Sequence, residues 1–158
     1  LFLARSDETE DVPGSATEVG ELLHKIVENH RHLIKDKQIT LNAKSDTSCF
    51  TNAPAEHLAI VLSNLIRNSI FHTKAGLISV RLVDGRITVS DSGDGIAPQD
   101  LEKIFNREYR GKSSKGYGLG LYIAKSICDR YGWSLSLSSQ TYCGTIAILD
   151  TKGESDHK

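Results

Sequence analysis

Between residues 54 and 91 the apolar residues change their period once, and that change limits the folds open to the chain. Leu58, Leu62, Leu65, Ile66 and Ser69 share one stripe at helical spacing. A helix is therefore predicted to run to about His72, with Asn52 as its cap and Pro54 in its first turn. From Leu77 the period drops to that of a strand. Leu77 to Val83 and Arg86 to Asp91 flank Asp84-Gly85, a two-residue hairpin signal. A long one-sided helix followed by a hairpin needs a sheet face to cover.

The flanking sequence supplies the rest of that sheet and its cover. A helix is predicted from Thr17, where Val19, Leu22, Leu23, Ile26, Val27 and His30 fall at helical spacing. Ile39 to Ala43 alternates as a strand. A short helix is expected after Pro98, and a further long helix over Leu119 to Tyr131, stopped by Gly132. Ser134–Ser138 and Thr145–Leu149 read as closing strands. Long helices at three places and a mixed, mainly antiparallel sheet predict an α+β fold, a two-layer α/β sandwich. The helices cover one sheet face and the other meets solvent.

The 158 residues suit one compact domain. Residues 1–16 read as the end of another element and a linker, 17–150 as the domain, and 151–158 as a polar tail. With 39% hydrophobic and 25% charged residues, the chain is globular rather than disordered. A net charge of −1 gives no field that would gather nucleic acid. Its longest apolar run is far short of a membrane span, so no membrane contact is expected of this domain. Cys49, Cys128 and Cys143 are scattered without CxxC spacing and read as reduced, partly buried thiols.

Several segments carry chemistry. Asn64 and Asn68 stand one turn apart on the long helix, so two amide oxygens can face one hard cation. Asp91-Ser92-Gly93-Asp94-Gly95 follows a strand directly. That strand can hold Asp91 rigidly, its carboxylate can accept from an exocyclic amine such as that of adenine, and the glycines let backbone approach a flat ligand. Gly116-Tyr117-Gly118-Leu119-Gly120-Leu121 leads into a helix, an arrangement suited to phosphate. Leu121 stands where a dinucleotide fingerprint needs glycine, and Asn106 where a P-loop needs one, so both of those motifs fail. Arg107, Arg110 and Lys112 lie between the two glycine segments, with guanidinium geometry that suits phosphate oxygens. Each motif has an ordinary structural explanation when taken alone.

In this order the motifs resemble the histidine-kinase branch of the superfamily that contains DNA gyrase, heat-shock protein 90, histidine kinases and the MutL mismatch-repair protein. The resemblance covers roughly residues 17–150. Leu3-Ala4-Arg5-Ser6-Asp7 also resembles the end of the dimerisation helix that precedes such domains. The resemblance implies ATP and Mg2+ as cofactors. It assigns Asn64 and Asn68 to magnesium and catalysis, and Asp91 to the adenine amino group, with Gly93, Gly95 and Ile96 around it. Gly116, Gly118 and Gly120 would hinge a lid, flanked by Leu119 and Leu121 and tethered by Phe105. His72, Arg107, Tyr109, Arg110 and Lys112 complete the expected nucleotide contacts. The implied partners are a histidine-containing dimerisation domain of the same protein and a response regulator. The implied setting is the cytoplasmic side of an inner-membrane sensor.

Kinase chemistry is favoured over hydrolysis because Asn64 stands where ATP-hydrolysing relatives carry a glutamate base. An amide cannot usefully take a proton from water. None of His24, His30, His32, His57, His72 or His157 has the acidic neighbour and nearby proline of a phosphoacceptor, so the acceptor is expected on another domain. Phe71 replaces the usual cation of this branch and Glu108 a common aromatic. Two alternatives remain open at this level: a nucleotide-gated interaction or phosphatase-supporting module without transfer, and a serine kinase of the anti-sigma-factor type.

Overall fold

The structure, a computed structural model, describes residues 16–107 and 120–152. Thr17–Glu18 (β1) lies extended against Phe50–Thr51 (β3) in a two-stranded antiparallel pair. The first helix, α1 (Val19–His30), therefore starts two residues after the predicted position. The Glu18 carboxylate caps it, accepting from the N–H groups of Gly20 and Glu21. Val19, Leu23, Ile26 and Val27 form its buried stripe. A 3-10 turn, Arg31–Ile34, closes its end.

The long helix α2 (Ala55–His72) matches the predicted span. Its start corrects the expected cap: Pro54 itself occupies the N-cap position without a side-chain bond, and Asn52 is exposed outside it. Proline has no side-chain acceptor, so the Pro54 carbonyl accepts from the His57 N–H instead (3.0 Å). At the other end, Lys37 reaches in from the loop after α1. Its ammonium donates to the carbonyls of Ile70 (2.9 Å) and Thr73 (3.4 Å), which places a cation on the negative end of the helix.

The main sheet has five strands in the order β2-β4-β5-β7-β6. They are β2 (Gln38–Ser45), β4 (Ala75–Val83), β5 (Arg86–Asp91), β6 (Ser134–Gln140) and β7 (Gly144–Asp150). Only β2 and β4 pair in parallel; the other neighbours are antiparallel. The β4–β5 hairpin turns at Asp84 (φ 50°) and Gly85 (φ 79°), both left-handed as a two-residue turn of this kind requires. The short α3 (Pro98–Leu101) and α4 (Gly120–Tyr131) complete the described elements. Gly132 (φ 70°) ends α4, and the N–H of Trp133 returns to the carbonyl of Cys128 (2.8 Å).

Leu41, Ile78, Val80, Leu82, Ile87, Val89, Ala147 and Leu149 line one sheet face, where α1, α2 and α4 pack on them. The α2 stripe Leu58, Leu62, Leu65 and Ile66 is buried there, joined by Val61 and Ile70. The opposite face carries Thr88, Ser90, Ser136 and Ser138, with Ile146 exposed among them. This is the predicted two-layer architecture. Cys49 and Cys128 are buried and Cys143 exposed; burial pushes the Cys128 thiol up to about 12, which leaves it unreactive near neutral pH. No helix among the described residues is long and apolar enough to cross a membrane.

Candidate functional site

The site gathers where the C-terminal end of α2, the last residue of β5 and the β6–β7 hairpin meet. Asp91 ends β5, paired across to Ile78 on one side and Thr145 on the other. It is 8% exposed. Its Oδ1 accepts from the N–H of Gly93 (3.0 Å) and from the N–H of Thr145 (3.3 Å). Its Oδ2 is buried and has no partner. A carboxylate fixed on one oxygen and open on the other is poised to accept from a ligand donor.

The glycines beside it are there for space. A Cβ on Gly93 would lie 2.3 Å from the His72 carbonyl oxygen. Gly95 has φ +74°, and a Cβ there would lie 2.0 Å from the Gln140 carbonyl oxygen. The loop is thus pressed between α2 and the β6–β7 hairpin. Backbone bonds hold it there: the N–H of Asp94 donates to the His72 carbonyl (3.2 Å) and the N–H of Tyr142 to the Asp94 carbonyl (2.6 Å). Ser139 adds a side-chain clamp. Its Oγ accepts from the N–H of Ile96 (2.7 Å), lies 2.9 Å from the Gly144 carbonyl and 2.9 Å from Thr145 Oγ1.

Asn64 and Asn68 are half-buried on α2, one turn apart. Asn64 Oδ1 takes a long bond from Arg67 Nη2 (3.4 Å). It also lies 2.8 Å from where a Cβ on Gly120 would be, so glycine at the first residue of α4 lets that helix start against the amide. His72, half-buried, sits between Phe71 and the loop. Its ring meets Phe71 edge-on at 5.2 Å. Burial holds its pKa below the ordinary 6.5, against the opposing pull of Asp91 and Asp94.

The structure therefore brings Asp91, Gly93, Gly95 and His72 together, and sets Asn64 beside Gly120. Ile96 and Leu121 are buried in the apolar core, and Phe105 packs against that core half-buried. Arg107 is exposed. Tyr109, Arg110, Lys112, Gly116, Gly118 and Leu119 lie outside the described residues, as does Glu108. Sequence reasoning missed Thr73, Ser139 and Thr145. Thr73 Oγ1 is buried beside Gly93 without a partner. A strand threonine after glycine and a serine in a serine-rich strand carry no distinguishing pattern, so only the fold reveals them.

The profile of the family described as "Histidine kinase-, DNA gyrase B-, and HSP90-like ATPase" matches residues 53–154. Among named relatives, the chain is 32% identical over 155 residues to the sensor histidine kinase Hik2 of Synechocystis, covering 87% of this chain and 35% of that protein. It is 37% identical over 117 residues to the sensor histidine kinase YcbM of Bacillus subtilis, covering 68% and 38%. The chain thus spans little more than a third of these relatives' length. Among solved structures, the mycobacterial sensor histidine kinase MprB superposes with a TM-score of 0.75 at 24% identity, covering 85% of this chain and 95% of that one. A catalytic domain of histidine kinase ThkA gives 0.70 at 25% identity, covering 85% and 93%. Full-length ShkA in complex with AMPPNP gives 0.73 at 22% identity, covering 85% and 30%. With the family match spanning most of the chain and the fold shared, the chain belongs to the histidine kinase-, DNA gyrase B- and HSP90-like ATPases, as an ATP-binding catalytic domain of the histidine-kinase kind.

Proposed function

We propose that this domain binds ATP with magnesium and delivers the γ-phosphoryl to an imidazole on a separate histidine-bearing dimerisation domain, which passes it to a response regulator. The observation that carries the reading is the unpartnered Oδ2 of Asp91 at the back of a glycine cradle. A buried carboxylate oxygen without a donor is costly, and the 6-amino group of adenine would satisfy it. Asn64 and Asn68 fit a magnesium ion: both are half-buried amides on one turn of a rigid helix, and Asn64 Oδ1 is engaged only by a long bond from Arg67 among the described residues. Magnesium, when bound, supplies charge neutralisation along the phosphate tail. The chain's own part is to fix the base at Asp91, to steer the tail past Asn68 and Asn64, and to present the start of α4 to it.

Asn64 gives the site no group able to deprotonate water, which supports transfer over hydrolysis. In transfer a nitrogen–phosphorus bond forms as the bond to the bridging oxygen breaks, and ADP leaves with the electron pair. Residues 1–16 are assigned to the end of a dimerisation helix and a linker, and 17–150 to the catalytic unit, on the cytoplasmic side of a membrane sensor. Mixing the chain with a separately produced histidine-bearing dimerisation domain and γ-labelled ATP tests this. Acid-labile label on the added domain is expected, and its loss in Asn68→Ala. ATP binding without any transfer would favour a nucleotide-gated interaction module, and acid-stable label a serine kinase. Absence of ATP binding at millimolar ligand ends the proposal.

A further inference from the structure

Arg67 is the sole lysine or arginine of α2, and it flanks the side of that helix along which the phosphate tail is proposed to run. At helical spacing it lies about 60° around the axis from Asn64 and about 40° from Phe71. Its exposed side chain folds back along α2: Nε donates to the Ser63 carbonyl and Nη2 to Asn64 Oδ1, both at 3.4 Å. Both bonds are long and weak. Among the described residues Arg67 meets no carboxylate, although Arg31, Lys44, Arg81, Arg86 and Lys125 each pair with one. The guanidinium is therefore held loosely, by neutral groups alone.

The place where it rests has a chemical meaning. Asn64 Oδ1 is one of the amide oxygens proposed above for magnesium, and it lies 2.8 Å from where a Cβ on Gly120 would be. The guanidinium thus stands where α2 faces the start of α4. Distance along the helix says which part of a nucleotide reaches that point. His72, whose carbonyl accepts from the Asp94 N–H, marks the base end. Asn64 is about 12 Å away by helical rise. With the base at Asp91, that distance passes the ribose and reaches the distal phosphates. A triphosphate keeps negative charge beyond what one divalent ion neutralises. A planar guanidinium matches phosphate oxygens, which the Phe71 ring one turn on cannot do.

We propose that Arg67 is the phosphate-tail cation of this chain, resting on Asn64 Oδ1 in the free domain and passing to the distal phosphate oxygens when nucleotide binds. The inference rests on the nucleotide reading above and adds a binding residue to it. The exchange is favourable because a long, exposed bond to a neutral amide is given up for a charge-assisted bond to phosphate. It also releases Asn64 Oδ1 for the metal. Because the guanidinium sits at the far end of the tail, it makes affinity depend on tail length.

The test is calorimetric binding of ATP, ADP and adenosine, each with magnesium, to the parent, Arg67→Gln and Arg67→Lys chains, with thermal unfolding of each in parallel. Arg67→Gln should lose about ten-fold for ATP, about two-fold for ADP and nothing for adenosine. Its unfolding temperature should match the parent's, since the side chain is exposed. Arg67→Lys keeps the charge without the fork and should bind ATP within about three-fold of the parent. Raising the salt concentration should narrow the gap between Arg67→Gln and the parent for ATP. An Arg67→Gln chain that binds ATP as the parent does overturns the inference. So does tighter ATP binding, which would make the arginine a competitor for Asn64, and so does an equal loss for all three ligands, which would mark a structural role. A parent that binds none of the three would end the proposed function, and this inference with it.

Discussion

Asp91 commits one carboxylate oxygen to the protein and leaves the other without a partner. Oδ1 is occupied by the N–H groups of Gly93 and Thr145, and Oδ2 is buried and open. Asp91→Asn should keep the fold's interest in the first oxygen but can turn an amide N–H toward the base, donor against donor. The loss of one charged, buried hydrogen bond is worth about 1.5–3 kcal/mol, so ATP affinity should fall roughly ten- to hundred-fold. Calorimetry giving equal ATP affinity in variant and parent would refute the adenine assignment. His72, next to Asp91, sets a pH dependence. Its imidazole titrates below 6.5 in the folded chain because burial disfavours the cation, despite Asp91 and Asp94. Below pH 6.5 the unfolded chain therefore takes up protons that the folded chain refuses. This stability contribution is complete above 6.5 and is lost as pH falls from there toward the lower folded value. His72→Gln should flatten the decline of the unfolding temperature between about pH 7 and 5. His57, shifted the same way by burial and by Arg130, leaves part of the slope in place. An unchanged slope in the variant would remove His72 from the account.

At the scale of elements, the site depends on a hairpin that pins a loop. The β6–β7 turn holds the Asp91–Ile96 segment through Tyr142, Ser139 and the close approach of Gly144, where a Cβ would lie 2.0 Å from the Asp91 carbonyl oxygen. Ser139→Ala would strip the N–H of Ile96 of its acceptor while leaving the apolar packing alone. It should cost about 1–3 kcal/mol, read from urea unfolding. A variant as stable as the parent would mean that water replaces the hydroxyl. The same geometry explains what was legible beforehand. Asp84-Gly85 and the α2 stripe are local patterns, and each announced its element correctly, whereas the glycines read as room for a flat ligand make room for the carbonyls of His72 (Gly93) and Gln140 (Gly95). Ser139 and Thr145 make their contacts only because β7 lies beside β5 and the hairpin lies over the loop, pairings between residues as much as 54 apart in sequence. The α1 start moved to Val19 for a comparable reason: Phe50–Thr51 draws Thr17–Glu18 into a ladder, and no periodicity near Thr17 announces that partner. Lys37 on the α2 carbonyls is likewise a long-range contact, hidden in a sequence that reads as a polar loop.

For the whole molecule, the consequence is that nucleotide binding and global stability are one equilibrium. The unpartnered buried groups lie just after α2, at Thr73, and at the end of β5, at Asp91; the loop after β5 is clamped by β6 and β7, and α4 begins against Asn64. These elements share a single buried core that runs from Val19 to Leu149. A ligand joined to them should therefore stabilise the fold as a unit rather than one flap of it. With ATP and magnesium at about a hundred times the dissociation constant, mass action adds about 2.7 kcal/mol. For a chain of 158 residues that corresponds to a rise of about 5–10 °C in the unfolding temperature, in one transition. Asp91→Asn should lose between about half and most of that rise at the same ATP concentration, because its dissociation constant has moved roughly ten- to hundred-fold. A parent that binds ATP by calorimetry but melts at an unchanged temperature would show that the site can open without the core, and the coupling argued from the shared packing would then be wrong.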